Sequence, residues 1–190
     1  HTRLTFRTGN RLIGDGVDVT IFKLKASTND YGLYLNSITD AGVVDMTIDG
    51  NSANNATGGM GVRVEGASYD LLFNNVRATN WRFDGFAITG SGSRVQLQNC
   101  QADANLRDGY SVTGVTRVGI AGSLGKGNTR FGIVFGAGSN QCRADSNVCV
   151  DNGDMNIMAT SCTDAVFDGN VTSGSVAGHG LQFNTVTRGV

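Results

Sequence analysis

A two-residue alternation of apolar and polar side chains runs through most of this chain and restarts at regular intervals. Leu33/Leu35, Val62/Val64, Phe86/Ile88, Tyr110/Val112, Ile133/Phe135, Ile157/Ala159 and Leu181/Phe183 form one series of apolar pairs, each split by a single residue. A period of two puts both members on the same side of an extended strand, so each pair predicts a short strand with one buried face. About ten residues further on comes a second series, Leu71/Phe73, Val95/Leu97, Val118/Ile120, Cys142/Ala144 and Ala165/Phe167. A third strand is expected after it, with Val76, Cys100, Leu124, Val148 and Val171 in one inward column. No apolar stripe of helical spacing intervenes.

The restart is itself periodic. Gly61, Gly85, Gly109, Gly132, Asn156 and Gly180 each stand one residue ahead of an apolar pair, at steps of 24, 24, 23, 24 and 24. Such a period marks stacked supersecondary units, none of which can bury a core alone. Three short strands per unit predict an all-β, right-handed parallel β-helix of about seven coils, with Phe86, Tyr110 and Ile133 stacked in one interior column. Asparagine supports this independently. Asn75, Asn99 and Asn147 share one column, with Ser123 in the gap and Asn170 one residue early; Asn80, Asn105, Asn128 and Asn152 share another. Asparagine tolerates the left-handed backbone of a sharp bend, and stacked amides hydrogen-bond from coil to coil. From Gly32 to Gly61 the step is 29, which places an insertion in the polar stretch Asp49–Gly59. That stretch predicts a loop bulging from the stack.

Composition adds limits rather than detail. The 190 residues predict one β-helix domain, and a net charge of −1 supplies no global field to recruit nucleic acid or an anionic membrane. Twenty-eight glycines and no proline describe a chain of tight turns. Cys100, Cys142, Cys149 and Cys162 lack metal-ligand spacing and read as small buried apolar side chains. Neither end carries a convincing cap over its open strand edges. The expectation is therefore a piece of a longer protein, or a partner that covers the ends, a homotrimer included.

Val44-Asp45-Met46-Thr47-Ile48-Asp49-Gly50-Asn51, followed by Ala53-Asn54, resembles the strand and DGN loop of the mannuronan C5-epimerase catalytic module. Asn105-Leu106-Arg107-Asp108-Gly109-Tyr110 is similar to that family's Asn-x-x-Asp-Gly-Phe joint. The resemblance covers roughly residues 40 to 155 and implies a β-helix that handles polysaccharide. The family's catalytic phrase, Tyr-Gly-Phe-Asp-Pro-His-Glu, falls on Asp84 to Gly90, where Asp84, Ala87, Ile88, Thr89 and Gly90 replace its Tyr, Asp, Pro, His and Glu. Gly58 stands where its lysine would be. The resemblance thus implies fold and substrate class without the family's catalytic residues.

Side chains that alternate with the buried pairs face outward, and adjacent coils bring them within about 4.8 Å of one another. Only one such pair, Arg63/Glu65, is charged. Tyr34 lies one coil earlier, and Arg82, Asp84 and Arg107 sit just ahead of the repeat glycines. Tyr34, Arg63, Glu65, Arg82, Asp84 and Arg107 are therefore the candidate substrate-binding residues, with arginine suited to bidentate contacts with uronate. Solvated surface pairs across coils are the simpler alternative. No catalytic constellation emerges, since His179 is four coils from Asp84. Asp49, Asn51, Asn54 and Asn55 could supply oxygens to Ca²⁺, although an ordinary Asn/Gly turn explains them as well. No other cofactor is expected.

These features predict a β-helix that binds or processes acidic, uronate-containing polysaccharide at an extracellular, virion or cell surface. The alternative is a non-catalytic structural or adhesive shaft, as in a phage tailspike or surface protein. If the chain is an enzyme, a polysaccharide lyase or C5-epimerase-like reaction is the expected class.

Overall fold

The computed structural model describes residues 1–187; residues 188–190, the end of the expected single domain, lie outside that description. The chain winds as a parallel β-solenoid of about seven turns. One face is an eight-stranded parallel sheet running Leu4–Thr5, Leu33–Asn36, Val62–Glu65, Phe86–Thr89, Tyr110–Thr113, Ile133–Phe135, Ile157–Thr160 and Leu181–Asn184. We call it the first face. The second face holds Ser93–Gln98, Thr116–Ala121, Arg143–Asp145 and Val166–Asp168, and the third holds Gln101–Asp103, Leu124–Lys126, Val148–Val150 and Val171–Ser173. Gly42–Asp49 and Tyr69–Thr79 are long enough to run through both, bending at Asp45 and Asn75, whose φ angles are 57° and 52°.

The expected inward pairs are buried throughout the middle coils. Phe86, Tyr110 and Ile133 are in register on the first face, as expected, and the Phe86 and Tyr110 rings stack at 5.1 Å with 7° between planes. The Tyr110 hydroxyl, in the core, donates to the Leu124 carbonyl at 3.1 Å. The four cysteines are free and buried. Burial pushes the Cys149 and Cys100 thiols up to about 12 and the Cys142 thiol up to about 11, so none is a ready nucleophile.

Two columns differ from the expectation. Val76 and Cys100 point inward, but Leu124 pairs with Gln101 rather than Cys100, which turns Leu124, Val148 and Val171 outward. Val148 and Val171 are 40% and 59% exposed, and Ala102, Gly125 and Cys149 face the core instead. The cause is a 23-residue step that slips the register by one, and one residue flips every side chain of a strand.

The same slip rearranges the asparagines. Asn75 and Asn99 occupy the left-handed bend itself, whereas Asn147 and Asn170 stand one position later, in the column of Cys100 and Ser123. The Ser123 amide donates to Asn147 Oδ1 at 2.9 Å, and the Asn147 amide to Asn170 Oδ1 at 3.0 Å. In the other column Asn105, Asn128 and Asn152 form the expected ladder, each Nδ2 also reaching a carbonyl of the preceding coil. Asn80 is not a rung: it sits exposed at the bend, φ 58°, and Trp81 takes the rung position. The Trp81 ring is buried beneath the insertion loop, against Gly32, Gly50, Gly59 and Gly61, with its indole N–H on the Ile48 carbonyl at 3.0 Å.

Candidate functional site

The outward row of the first face reads Tyr34, Arg63, Ala87, Ser111, Val134, Met158 and Gln182 in register from coil to coil. At its upper end the structure brings together three of the six residues expected to bind substrate. The Tyr34 hydroxyl donates to Glu65 Oε1, and Arg63 Nε donates to Glu65 Oε2 at 3.0 Å. Asn36 Nδ2 donates to the Tyr34 hydroxyl at 3.1 Å. Tyr31 stacks on Tyr34 at 5.6 Å, and the Arg3 guanidinium lies 4.8 Å from the Tyr34 ring centre. Arg63 also reaches Met60 Sδ at 3.6 Å.

Electrostatics follow from these contacts. The hydrogen bond to Glu65 raises the Tyr34 pKa, because losing the proton would set two anions side by side. The same bond, helped by Arg63, lowers the Glu65 pKa despite partial burial. At neutral pH the cluster is a neutral phenol, a carboxylate and a guanidinium. Tyr34 is therefore a poor proton acceptor, and Glu65 is the group of the three able to take a proton.

The other three residues lie along the corner that precedes the first face. Arg82 is exposed beside the insertion loop, with Nε on the Ala56 carbonyl at 2.9 Å. Asp84 is a correction to the expected open edge. It is fully buried, and Arg107 from the next coil clamps its carboxylate with two hydrogen bonds. Burial raises the Asp84 pKa, with Arg107 opposing and the nearby Asp108 adding to it. One coil on, Asp108 and Arg130 repeat the arrangement, and both guanidinium groups cover an aromatic ring, Phe83 and Phe131 respectively. Asp84 and Arg107 thus form a structural staple rather than an open ligand grip.

The sequence reading missed Arg3, Tyr31 and Asn36, which join the Tyr34 cluster. Nothing in the 24-residue register points to Arg3 or Tyr31, since they lie where the repeat is irregular. The Asp84–Arg107 and Asp108–Arg130 clamps were findable from an Asp recurring one coil before an Arg.

Oxygens of the insertion loop are already engaged, both within the loop and by the preceding coil. Asp49 Oδ2 holds Lys23 Nζ at 2.8 Å, Asp49 Oδ1 accepts from the Asn51 amide at 2.8 Å, and Asn55 Oδ1 accepts from the Asn29 amide at 3.0 Å. This donor set offers one carboxylate, already neutralised by a lysine, which fits Ca²⁺ poorly.

Residues 12–187 match the family model described as the right handed beta helix region. The chain belongs to that family. Solved structures with the same fold include the A-module of a mannuronan C-5 epimerase from Azotobacter vinelandii, with a TM-score of 0.58, 17% identity, and 92% of this chain matching 64% of that one. Tailspike protein 2 of an Escherichia coli O157:H7 bacteriophage gives 0.66 at 13% identity over 100% of this chain and 34% of that one. An endo-xylogalacturonan hydrolase from Aspergillus tubingensis gives 0.62 at 16% identity, covering 97% and 64%. The chain spans between about a third and two thirds of the length of these structures. No curated protein sequence matches it. The fold relation expected from the DGN phrase is borne out.

Proposed function

We propose that this β-helix binds an acidic polysaccharide along the first face, with the glycan crossing the Tyr34–Arg63–Glu65 cluster and reaching Arg82 on the corner by the insertion loop. The observation that carries this reading is the cluster itself: a stacked tyrosine pair for a sugar ring, beside a guanidinium matched to a uronate carboxylate. The mannuronan and xylogalacturonan named for two structural neighbours support an acidic glycan, and the tailspike supports an extracellular, virion or cell-surface setting. Binding is favoured over turnover, because Asp84 is buried under its Arg107 clamp and Tyr34, kept protonated by its bond to Glu65, is a poor base for the proton abstraction that opens elimination or epimerisation.

The test is incubation with a panel of mannuronate, galacturonate and neutral polysaccharides, scored for retention and for ultraviolet-absorbing unsaturated product. Retention of an acidic polymer, weakened by added salt and by Arg63→Ala or Arg82→Ala, is the expected outcome. If no acidic polymer is retained, or both folded variants bind as tightly as the parent, the shaft reading replaces this one. Unsaturated product would instead place a lyase here, with Glu65 as the first group to test.

A further inference from the structure

The outer side of the second face carries a gap. Along the register row Gln96, Gly119, Arg143, three successive coils present a long polar side chain, none, and a long polar side chain again. The neighbouring row, Gln98, Ala121, Asp145, is also small in the middle. With strands about 4.8 Å apart, the missing side chain at Gly119 and the small one at Ala121 leave a notch one strand wide, with the Gln96 amide end folded over Gly119 as one of its walls. It is an open depression of about 220 Å³, with Arg117 and Gln141 lining its corner side.

The backbone does not require glycine at this point. Gly119 lies within a strand, outside the left-handed region, and a Cβ there would meet only the amide end of Gln96, with Oε1 at 2.5 Å, rather than any main-chain atom. Glycine inside a strand weakens it and commonly marks close approach by a ligand or another backbone. The lining is chemically mixed. Arg117 Nε is taken by Gln141 Oε1 at 3.0 Å, and Arg143 Nε by Asp145 Oδ2. Asp145 Oδ1 is shielded from solvent and has no hydrogen-bond partner among the described residues. An orphaned carboxylate oxygen carries a desolvation cost that a hydroxyl donor would relieve.

We propose that this notch is a second carbohydrate subsite, taking one pyranose ring of a glycan. A volume below the roughly 300–1,000 Å³ of drug-sized pockets suits a single ring. One sugar hydroxyl donates to Asp145 Oδ1 after a side-chain rotation, and its neighbours accept from the Arg117 and Arg143 guanidinium groups. The site lies on a different face from the Tyr34 cluster and stands independently of it.

The experiment is an amide NMR titration of the whole chain with tetramers of mannuronate, galacturonate and xylose, following Gly119 and Ala121. At least one tetramer is expected to shift both signals saturably. Gly119→Thr, which fills the notch with a good strand former, should keep the fold and weaken that binding at least about tenfold. Asp145→Asn should weaken it as well, while Arg63→Ala leaves it unchanged. No shift with any tetramer, or an unchanged Kd in Gly119→Thr, overturns the subsite. Loss of the same shifts in Arg63→Ala also overturns it, since one continuous site would then explain both faces. Persistence of these shifts with no effect of Arg63→Ala on polymer retention would instead count against the first-face reading alone.

Discussion

Replacing Asn128 by alanine tests the ladder that holds the coils together. Asn128 is buried, and its Oδ1 accepts from both the Asn105 amide, at 3.2 Å, and Asn105 Nδ2, at 2.9 Å. Its own Nδ2 donates to the Ala102 carbonyl and to Asn152 Oδ1, both at 3.0 Å. Asn105 Nδ2 keeps the Ala78 carbonyl, and Asn152 Oδ1 keeps the Asn128 main-chain amide. The Ala102 carbonyl stays in the strand ladder opposite Leu124–Lys126, so the stranded group is the Asn105 amide and the loss is roughly 1–3 kcal/mol. The assay is equilibrium urea denaturation, read as a lower midpoint at constant slope. Asn80→Gly is the internal control: Asn80 shares the apparent sequence column but is an exposed bend residue with one weak contact, to Asp49 Oδ1 at 3.4 Å. Glycine suits its φ of 58°, so the expected change is under about 0.5 kcal/mol. Equal losses in the two variants, or a loss below about 1 kcal/mol for Asn128→Ala, would refute the assignment of Asn128 as a rung.

Trp81→Ala should cost about 3–5 kcal/mol and expose residues 52–58 to proteolysis, because the buried ring packs against Gly50 and Gly59 at the two ends of the insertion loop. Arg107→Ala removes the clamp from a fully buried carboxylate, so a loss of about 3–5 kcal/mol is expected at neutral pH. Since burial holds the Asp84 pKa above its unfolded value, its stabilising share is present at acid pH and fades as pH rises through the folded value. The Arg107→Ala deficit should therefore shrink on acidification in pH-dependent denaturation, and Asp84→Asn should remove that pH dependence. Val148→Thr should change stability by less than about 0.5 kcal/mol, whereas Cys149→Asp should unfold the middle coils. The reverse order would restore the column read from the sequence. Glu65→Gln frees Arg63 from its intramolecular partner, worth up to about 1 kcal/mol, and should tighten acidic-polymer retention up to about fivefold; weaker retention would mean that Glu65 itself contacts the glycan.

The fold was legible because stacking repeats the same physical demand at every coil. Each first-face strand between the two end coils must bury two side chains, and pairs such as Phe86/Ile88 and Tyr110/Val112 answer with the same spacing. The third face was misread where the demand could be met in two ways. A corner can place asparagine in the bend, as at Asn99, or just inside it, as at Asn147, and amino-acid type alone does not tell the two apart. Counting in steps of 24 across a 23-residue coil then carries the error into Leu124, Val148 and Val171. Trp81 escaped for a related reason: a ladder position filled by a different chemistry looks like a break in the ladder.

The outer surface obeys no such repetition, and this is why the placement of the candidate binding residues was only half legible. Charge alone put Asp84, Arg107 and Arg63 on the same edge, yet Asp84 is a core residue and Arg107 exists to cover it, while Arg63 faces outward. A guanidinium already bound to a neighbour can grip a ligand only by exchanging one partner for another, so each such contact contributes little net affinity. A single sugar should accordingly bind weakly at the Tyr34 cluster. A polymer that crosses several coils, and so links several weak contacts at high effective concentration, should bind far better than its monomer. If the proposed first-face site is correct, the polymer-to-monomer affinity ratio should grow with glycan length until the glycan spans the cluster, and a ratio near one would refute it.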